Sequence, residues 1–438
     1  MTIANKPPPL SQATPVRHHG QRQYMLITAN YWGFTLTDGA LRMLVVLHFH
    51  SLGFGALDIA LLFIFYEFFG VVTNLAGGWL GARFGLNKTM NAGLALQILA
   101  LSLLLVPTSW LTVPWVMAAQ ALSGIAKDLN KMSAKSAIKQ LVPAGTTGNQ
   151  YLFRAVAILT GSKNTLKGIG FFMGAALLAA LHFKGAIVTM VSALTAVWAI
   201  SLMCLQNDLG KVKHAPKFNT LLSHSKALNA LSAARLFLFA ARDIWFVVAL
   251  PVFLSAQLGW PAQQIGAFFA YWIIGYGAVQ AATPLLFKAN NSVQTFAQKS
   301  RHWILALSAI PAIMALGGSE WSLALFEHTE FGRKLPSYLS PNAATQWLLM
   351  GGLSLFGIVF AINSSLHSYL ILALARDHGT SIDVGFYYMA NAAGRLLGTV
   401  LSGVMYQIYG LEVCLWGASL SLFIAGLFMA RVKPEISV

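Results

Sequence analysis

Apolar stretches of twenty or more residues recur from one end of the chain to the other, separated by short polar segments. None has the strict alternation of a half-buried strand. Each is long enough to cross a hydrocarbon layer of about 30 Å as a helix. The pattern predicts twelve spans, over residues 24–50, 56–82, 88–107, 112–138, 152–181 and 184–205, then 226–257, 262–288, 301–318, 344–376, 380–409 and 411–431. Several exceed about 20 residues and are expected to tilt or to project beyond the bilayer. The alternating segments of about 10 residues that build an outer-membrane barrel are not found. The expected organisation is a disordered cytoplasmic tail (1–23), an N-terminal six-helix bundle (24–205), a cytoplasmic linker (206–225), a C-terminal six-helix bundle (226–431) and a short cytoplasmic tail (432–438).

Composition supports an all-α polytopic membrane protein. Of 438 residues, 57% are hydrophobic and 10% are charged, where a soluble domain has about a quarter charged. Mean hydropathy is +0.64. These values exclude a disordered chain and argue against a soluble enzyme. The 38 glycines suit helices that pack closely in lipid. No apolar run with a small-residue cleavage site precedes the first span, so no cleaved leader is expected. Cys204 and Cys414 both lie in apolar runs, where packing roles are expected.

The net charge of +16 would suggest nucleic acid on a soluble domain. Here the bases must first be sorted by depth. Loops on the side of the N-terminus hold fifteen of them, and opposite loops hold three, Lys184, Arg333 and Lys334. That bias is expected to place both termini in the cytoplasm, and the chain is expected in the inner membrane. Segment 319–343, with Glu320, Glu327 and Glu330, becomes the long external loop.

Eleven bases remain in or at the ends of spans: Arg42, Lys127, Lys131, Lys135, Lys139, Arg154, Lys163, Lys167, Arg235, Arg242 and Arg395. The acids at similar depth are Asp38, Glu67, Asp128 and Asp243. Eleven bases facing lipid would cost roughly 30 kcal/mol at about 2.5–3.5 kcal/mol each. Most must therefore line a wet cavity, pair, or reach the surface. Four acids cannot neutralise eleven bases, so the remainder calls for an anion. Lys127, Lys131 and Lys135 recur at i+4, as do Lys163 and Lys167, which places each set on one helix face. Lys135, Lys139 and Arg154 are expected to snorkel or to face loops. Arg42, Arg242 and Arg395 sit nearest the midplane. The expected substrate site comprises Arg42, Lys127, Lys131, Lys163, Lys167, Arg235, Arg242 and Arg395. Several of these have a competing structural reading. Arg42 either pairs with Asp38 four residues earlier or meets a ligand. Lys127 either pairs with Asp128 or Asp38 or lines the path. Arg242 and Asp243 are adjacent, so their side chains are expected to point apart. Glu67 and Asp38 either carry a coupling proton or partner a base. Asp128 and Asp243 are placed in the same class. His367 is expected to be a hydrogen-bonded core residue, and the aromatic residues are assigned to the interfacial belt and to packing.

No nucleotide-binding loop, metal-ligand cluster or nucleophilic constellation is visible, so neither an enzyme nor a cofactor is expected. A drug–proton antiporter is disfavoured by the surplus of buried bases.

The turn after the second span reads Gly77-Gly78-Trp79-Leu80-Gly81-Ala82-Arg83-Phe84-Gly85-Leu86-Asn87-Lys88. It resembles the cytoplasmic signature of the major facilitator superfamily, with Ala82 where an Asp is usual. Further stretches carry a closer likeness. They are Thr28 to Met43 in span one, Phe65 to Asn74 in span two, Ser123 to Ser136 in span four, Leu159 to Asn164 followed by Lys167-Gly168 in span five, and Ala234-Arg235-Leu236-Phe237 with Ala241-Arg242-Asp243 in span seven. Together these resemble the ArsJ-type organoarsenical efflux permeases of that superfamily. The resemblance implies the superfamily fold of two six-helix bundles and export of 1-arseno-3-phosphoglycerate. It also implies arsenate resistance and a functional partnership with glyceraldehyde-3-phosphate dehydrogenase, which makes that ester when arsenate replaces phosphate. An organophosphate or organic anion exchanger of the same fold is the alternative.

Overall fold

The computed structural model describes residues 14–52, 64–141, 146–205, 209–211, 225–260, 262–287, 292–317, 341–376 and 380–433. The long apolar runs form helices α1 (Thr14–Ser51), α2 (Ile64–Phe84), α3 (Leu86–Ser102), α4 (Val113–Leu141), α5 (Thr146–Cys204), α6 (Lys226–Phe246), α7 (Ala249–Ala256), α8 (Ala262–Leu286), α9 (Val293–Gly317), α10 (Pro341–Leu374) and α11 (Thr380–Met429). Six described helices are long and apolar enough to cross a membrane by length and composition alone. Two of them are twice the required length. α5 breaks at His182 (φ 55°) and α11 at Gly410 (φ 77°), so each holds two spans. α6 and α7 together make one. With α1, α2, α4 and α8, of which the first three carry charges in their apolar runs, the total among the described residues is twelve spans. An even number puts both termini on one side, called here the tail side.

Several boundaries differ from the expectation. α1 starts at Thr14, inside the stretch expected to be a disordered tail. α9 starts at Val293, eight residues before the expected span, so Lys299 and Arg301 stand on a helix rather than in a loop. The turn between α2 and α3 is a single residue, Gly85 (φ 98°), because glycine enters the left-handed region without a Cβ clash. Most of the linker and the whole of segment 319–340 lie outside the described residues.

Small residues set the helix approaches. Within the first half, Gly39 meets the Lys167 backbone, and a Cβ there would stand 2.8 Å from its carbonyl oxygen. Between the halves, Gly78 of α2 faces the Ser381 carbonyl and Gly385 of α11. Gly161 of α5 faces Gly277 and Ala281 of α8. A Cβ at either Gly78 or Gly161 would stand 2.5 Å from a backbone oxygen. Both approaches lie in the tail-side halves of their helices. Further contacts seal the same end. The Lys135 ammonium donates to the Tyr388 hydroxyl (2.5 Å), Lys139 to the Ala375 carbonyl, and the Gln140 amide to the Thr380 hydroxyl (3.3 Å). The Phe153 ring packs edge-on to Phe287, Phe296 and Tyr369. The halves are therefore closed together on the tail side.

Candidate functional site

The charged residues converge where six helices, α1, α2, α4, α5, α6 and α11, meet. Glu67 (α2) accepts from Arg42 (α1, 3.2 Å) and Arg395 (α11, 2.7 Å), with Lys127 (α4) at 4.0 Å. Asp128 pairs with Lys131 and with Lys127 (3.7 Å). Asp243 (α6) pairs with Arg242 (2.6 Å) and Arg395 (3.4 Å). The result is one chain of alternating charge, from Lys131 through Asp128, Lys127, Glu67, Arg395 and Asp243 to Arg242, with Arg42 branching at Glu67. Arg395 binds a carboxylate in each half and so joins them near the midplane. The geometry depends on Gly398, one turn after Arg395. A Cβ there would stand 2.8 Å from that of Asp243, which is itself fully buried.

Four of the nine described bases in this region have no carboxylate partner. Arg235 (α6) donates to the Asn391 side-chain oxygen (2.8 Å) and the Ser364 hydroxyl (3.2 Å). Lys135 reaches only the Tyr388 hydroxyl and ring. Lys163 and Lys167 (α5) are half-buried and form no ion pair among the described residues. They belong to the same cluster. Lys163 lies within electrostatic reach of Lys127, Lys131, Lys135 and Arg395, and Lys167 within reach of Asp38, Arg42, Arg395 and Lys163. Nine bases stand against four carboxylates, Asp38, Glu67, Asp128 and Asp243, which leaves five positive charges uncompensated.

Three aromatic rings, each taking two bases, hold these cations in place. The buried Tyr66 ring lies 4.0 Å from Arg42 and 3.7 Å from Lys127, while its hydroxyl donates to Asp38 (2.6 Å). The Tyr388 ring takes Lys131 and Lys135, and the Phe239 ring takes Arg235 and Arg242. From the sequence such rings are assigned to belt and packing. A tyrosine directly before Glu67 is the available signal, and helical spacing alone cannot say that a ring faces a cation.

All eight expected substrate-site bases enter this cluster, but some expected contacts are corrected. Arg242 does not point away from Asp243. The long guanidinium stem bends back to its neighbour because Asp243 is fully buried beside it. Lys135 does not snorkel. It is 4% exposed and crosses to the other half. The expected hydrogen bond of His367 is also not made. The residue is fully buried, and neither ring nitrogen has a partner among the described residues. Arg154, by contrast, is exposed.

On the tail-side surface Arg376 clasps Asp383 through its backbone N–H (2.8 Å), Nε (3.1 Å) and terminal nitrogen (2.7 Å). That carboxylate holds the guanidinium above its ordinary range. The pair lines a recess with Ser225 and Leu374, away from the central cluster.

No protein-family model matches the chain, and no curated protein matches its sequence. Solved structures match closely in shape. The human organic anion transporter MFSD10 (TETRAN) superposes with a TM-score of 0.67 at 15% identity, covering 95% of this chain and 99% of that one. A bacterial homologue of the iron transporter ferroportin, in an outward-facing state, gives 0.69 at 13%, covering 93% and 99%. The major facilitator superfamily proton:xylose symporter XylE gives 0.66 at 12%, covering 94% and 97%. The chain therefore has the major facilitator superfamily fold, two six-helix bundles of membrane-spanning helices, as in these membrane transporters.

Proposed function

We propose that the chain is an inner-membrane exporter of small organic polyanions and that its substrate is 1-arseno-3-phosphoglycerate. One observation carries the anion class: among the described residues Lys163 stands among other bases with no carboxylate in reach, and Lys167 forms no ion pair and shares the field of Asp38 with Arg42, Arg395 and Lys163. Even a half-buried charge without a counter-ion is unfavourable, and an anionic substrate offsets that cost when it arrives. The narrower identity rests on the sequence stretches that resemble the organoarsenical permeases. Such an ester carries anionic groups at both ends of a three-carbon unit. In this reading one end sits on Lys163 and Lys167 in the first half, and the other on Arg235 in the second. Arg suits forked capture of a phosphate-like group, and Lys acts as a point charge.

The alternating ion chain supplies the switch. An anion that takes Arg395 competes with Glu67, the carboxylate that ties the halves together, and so loosens the closed state. Alternating access then follows from the two bundles rocking about the cluster. Asp38 and Glu67 are the candidate proton carriers. Uniport is sufficient if synthesis inside and hydrolysis outside keep the gradient steep. Glyceraldehyde-3-phosphate dehydrogenase is the functional partner in this scheme.

Cellular arsenic content in an arsenate-sensitive bacterium tests the proposal. Expression of the chain should lower arsenic under arsenate, more so with added dehydrogenase, and leave it unchanged under arsenite. Unchanged arsenic under arsenate, with the protein confirmed in the membrane, would exclude the substrate. That result would favour the exchanger of organophosphates or other organic anions, a reading the likeness to MFSD10 also supports.

A further inference from the structure

A second group of basic residues lies where α8 and α9 meet, with no residue shared with the central cluster. α8 ends and α9 begins on the tail side, and between them Phe287, Lys299, His302, Trp303 and Ala306 line a recess of about 420 Å³, within the ~300–1,000 Å³ range of small-ligand sites. Among the described residues no carboxylate lines it. The Lys299 ammonium stands 5.3 Å from the Phe287 ring centre, and His302 is exposed. Trp303 provides the amphipathic ring found at membrane interfaces.

The recess continues into the apolar zone. Residues 302, 306, 309, 313 and 316 of α9 are all exposed and recur at helical spacing, so a stripe runs from the basic recess along the helix. Its first members after His302, Ala306 and Ala309, are small and leave a shallow apolar groove. Ile313 and Leu316 follow and are larger apolar residues. Leu285 is 84% exposed and Leu286 63%, at the end of α8 beside the recess. A cationic mouth at headgroup depth with an apolar track leading inward matches one ligand class, a phospholipid with an anionic headgroup.

We propose that this recess binds an anionic glycerophospholipid of the tail-side leaflet. Lys299 and His302 hold the phosphate, Trp303 marks headgroup depth, and the acyl chains lie along the α9 stripe. Anionic lipids collect basic surface residues at this depth. The site is independent of the transported substrate.

The test is thermal unfolding of the purified full chain in detergent, as wild type and as the double variant Lys299→Gln with His302→Gln. Both side chains sit at the recess rather than in the core, so the variant is expected to fold. Phosphatidylglycerol, phosphatidylcholine and inorganic phosphate are added separately. The readout is the stabilisation of wild type in excess of the variant. The proposal predicts an excess of several degrees with phosphatidylglycerol and none with the other two. Native mass spectrometry should show one fewer retained phosphatidylglycerol on the variant. No excess with phosphatidylglycerol, or an equal excess with phosphatidylcholine, would overturn the site. An equal excess with inorganic phosphate would overturn its assignment to lipid.

Discussion

Arg395 answers to two carboxylates, Glu67 across the interface and Asp243 within its own half. The carboxylates and the unpaired bases should respond differently to removal. Asp243→Asn leaves Arg242 and Arg395 short of a buried counter-charge and should cost roughly 3–5 kcal/mol of stability. Lys163→Gln and Lys167→Gln break no ion pair. They should leave the unfolding temperature unchanged or higher, yet lower transport at least about tenfold, the equivalent of one ~1.4 kcal/mol interaction. Thermal unfolding and transport measured on the same preparations check both expectations. Destabilisation by Lys163→Gln comparable to that by Asp243→Asn would mean that Lys163 has a structural counter-charge. At this scale the sequence displays charge and helical spacing, which are enough to collect the eight bases. It does not display pairing. Arg242 and Asp243 read as divergent neighbours, and only the full burial of Asp243 against α11 makes the local pair favourable. Tyr66, Tyr388 and Phe239 are illegible for a related reason. An apolar ring on a helix face has the same spacing whether it packs on leucine or on a guanidinium.

Helix boundaries and breaks respond to backbone physics more than to hydropathy. Gly410 ends one span and starts the next at φ 77°, and nothing lies within 4 Å of an added Cβ. Gly410→Ala should therefore cost only the backbone penalty of a positive φ with extended ψ (φ 77°, ψ −169°), about 1–3 kcal/mol, checked by chemical or thermal unfolding. Gly161 is the opposite case. Its added methyl would strike the Gly277 carbonyl and Ala281, so Gly161→Val should hold α5 and α8 apart and weaken the tail-side seal. Ser381 lies in that seal and is buried. A cysteine placed there, with Cys204 and Cys414 replaced, should react with a tail-side thiol reagent faster in the Gly161→Val background. Equal rates would show that this glycine does not govern closure. Tyr388→Phe should act in the same direction more mildly, because it removes one hydrogen bond, worth about 1.5–3 kcal/mol to a charged donor. The spans are largely legible from apolar runs. The start of α9 is not, because Lys299 and Arg301 interrupt the run and set the expected span to begin only at residue 301, although a helix can present charges at the interface while its other face stays buried.

For the whole molecule, the proposed anion site between the two bundles would make substrate charge part of the conformational cycle. The halves are closed on the tail side by lysine, glycine and aromatic contacts and joined at the centre by Glu67 and Arg395. Opening to the tail side must release Lys135 and Lys139 from the second half, and in the proposed reading both then join the path by which an anion would enter. The twelve-span fold is readable because a bilayer imposes one length on every span. The proposed substrate is readable only as a charge surplus, since neither hydropathy nor spacing specifies which anion would fill it. The most direct measurement is arsenic uptake into everted membrane vesicles that contain the chain, supplied with the dehydrogenase, its triose phosphate and nicotinamide substrates, and arsenate. The account predicts arsenic trapped in vesicles with the wild-type chain and the complete mixture. It predicts none when the dehydrogenase is omitted or when Arg395→Ala replaces the wild type. Uptake equal to that of vesicles lacking the chain would contradict it.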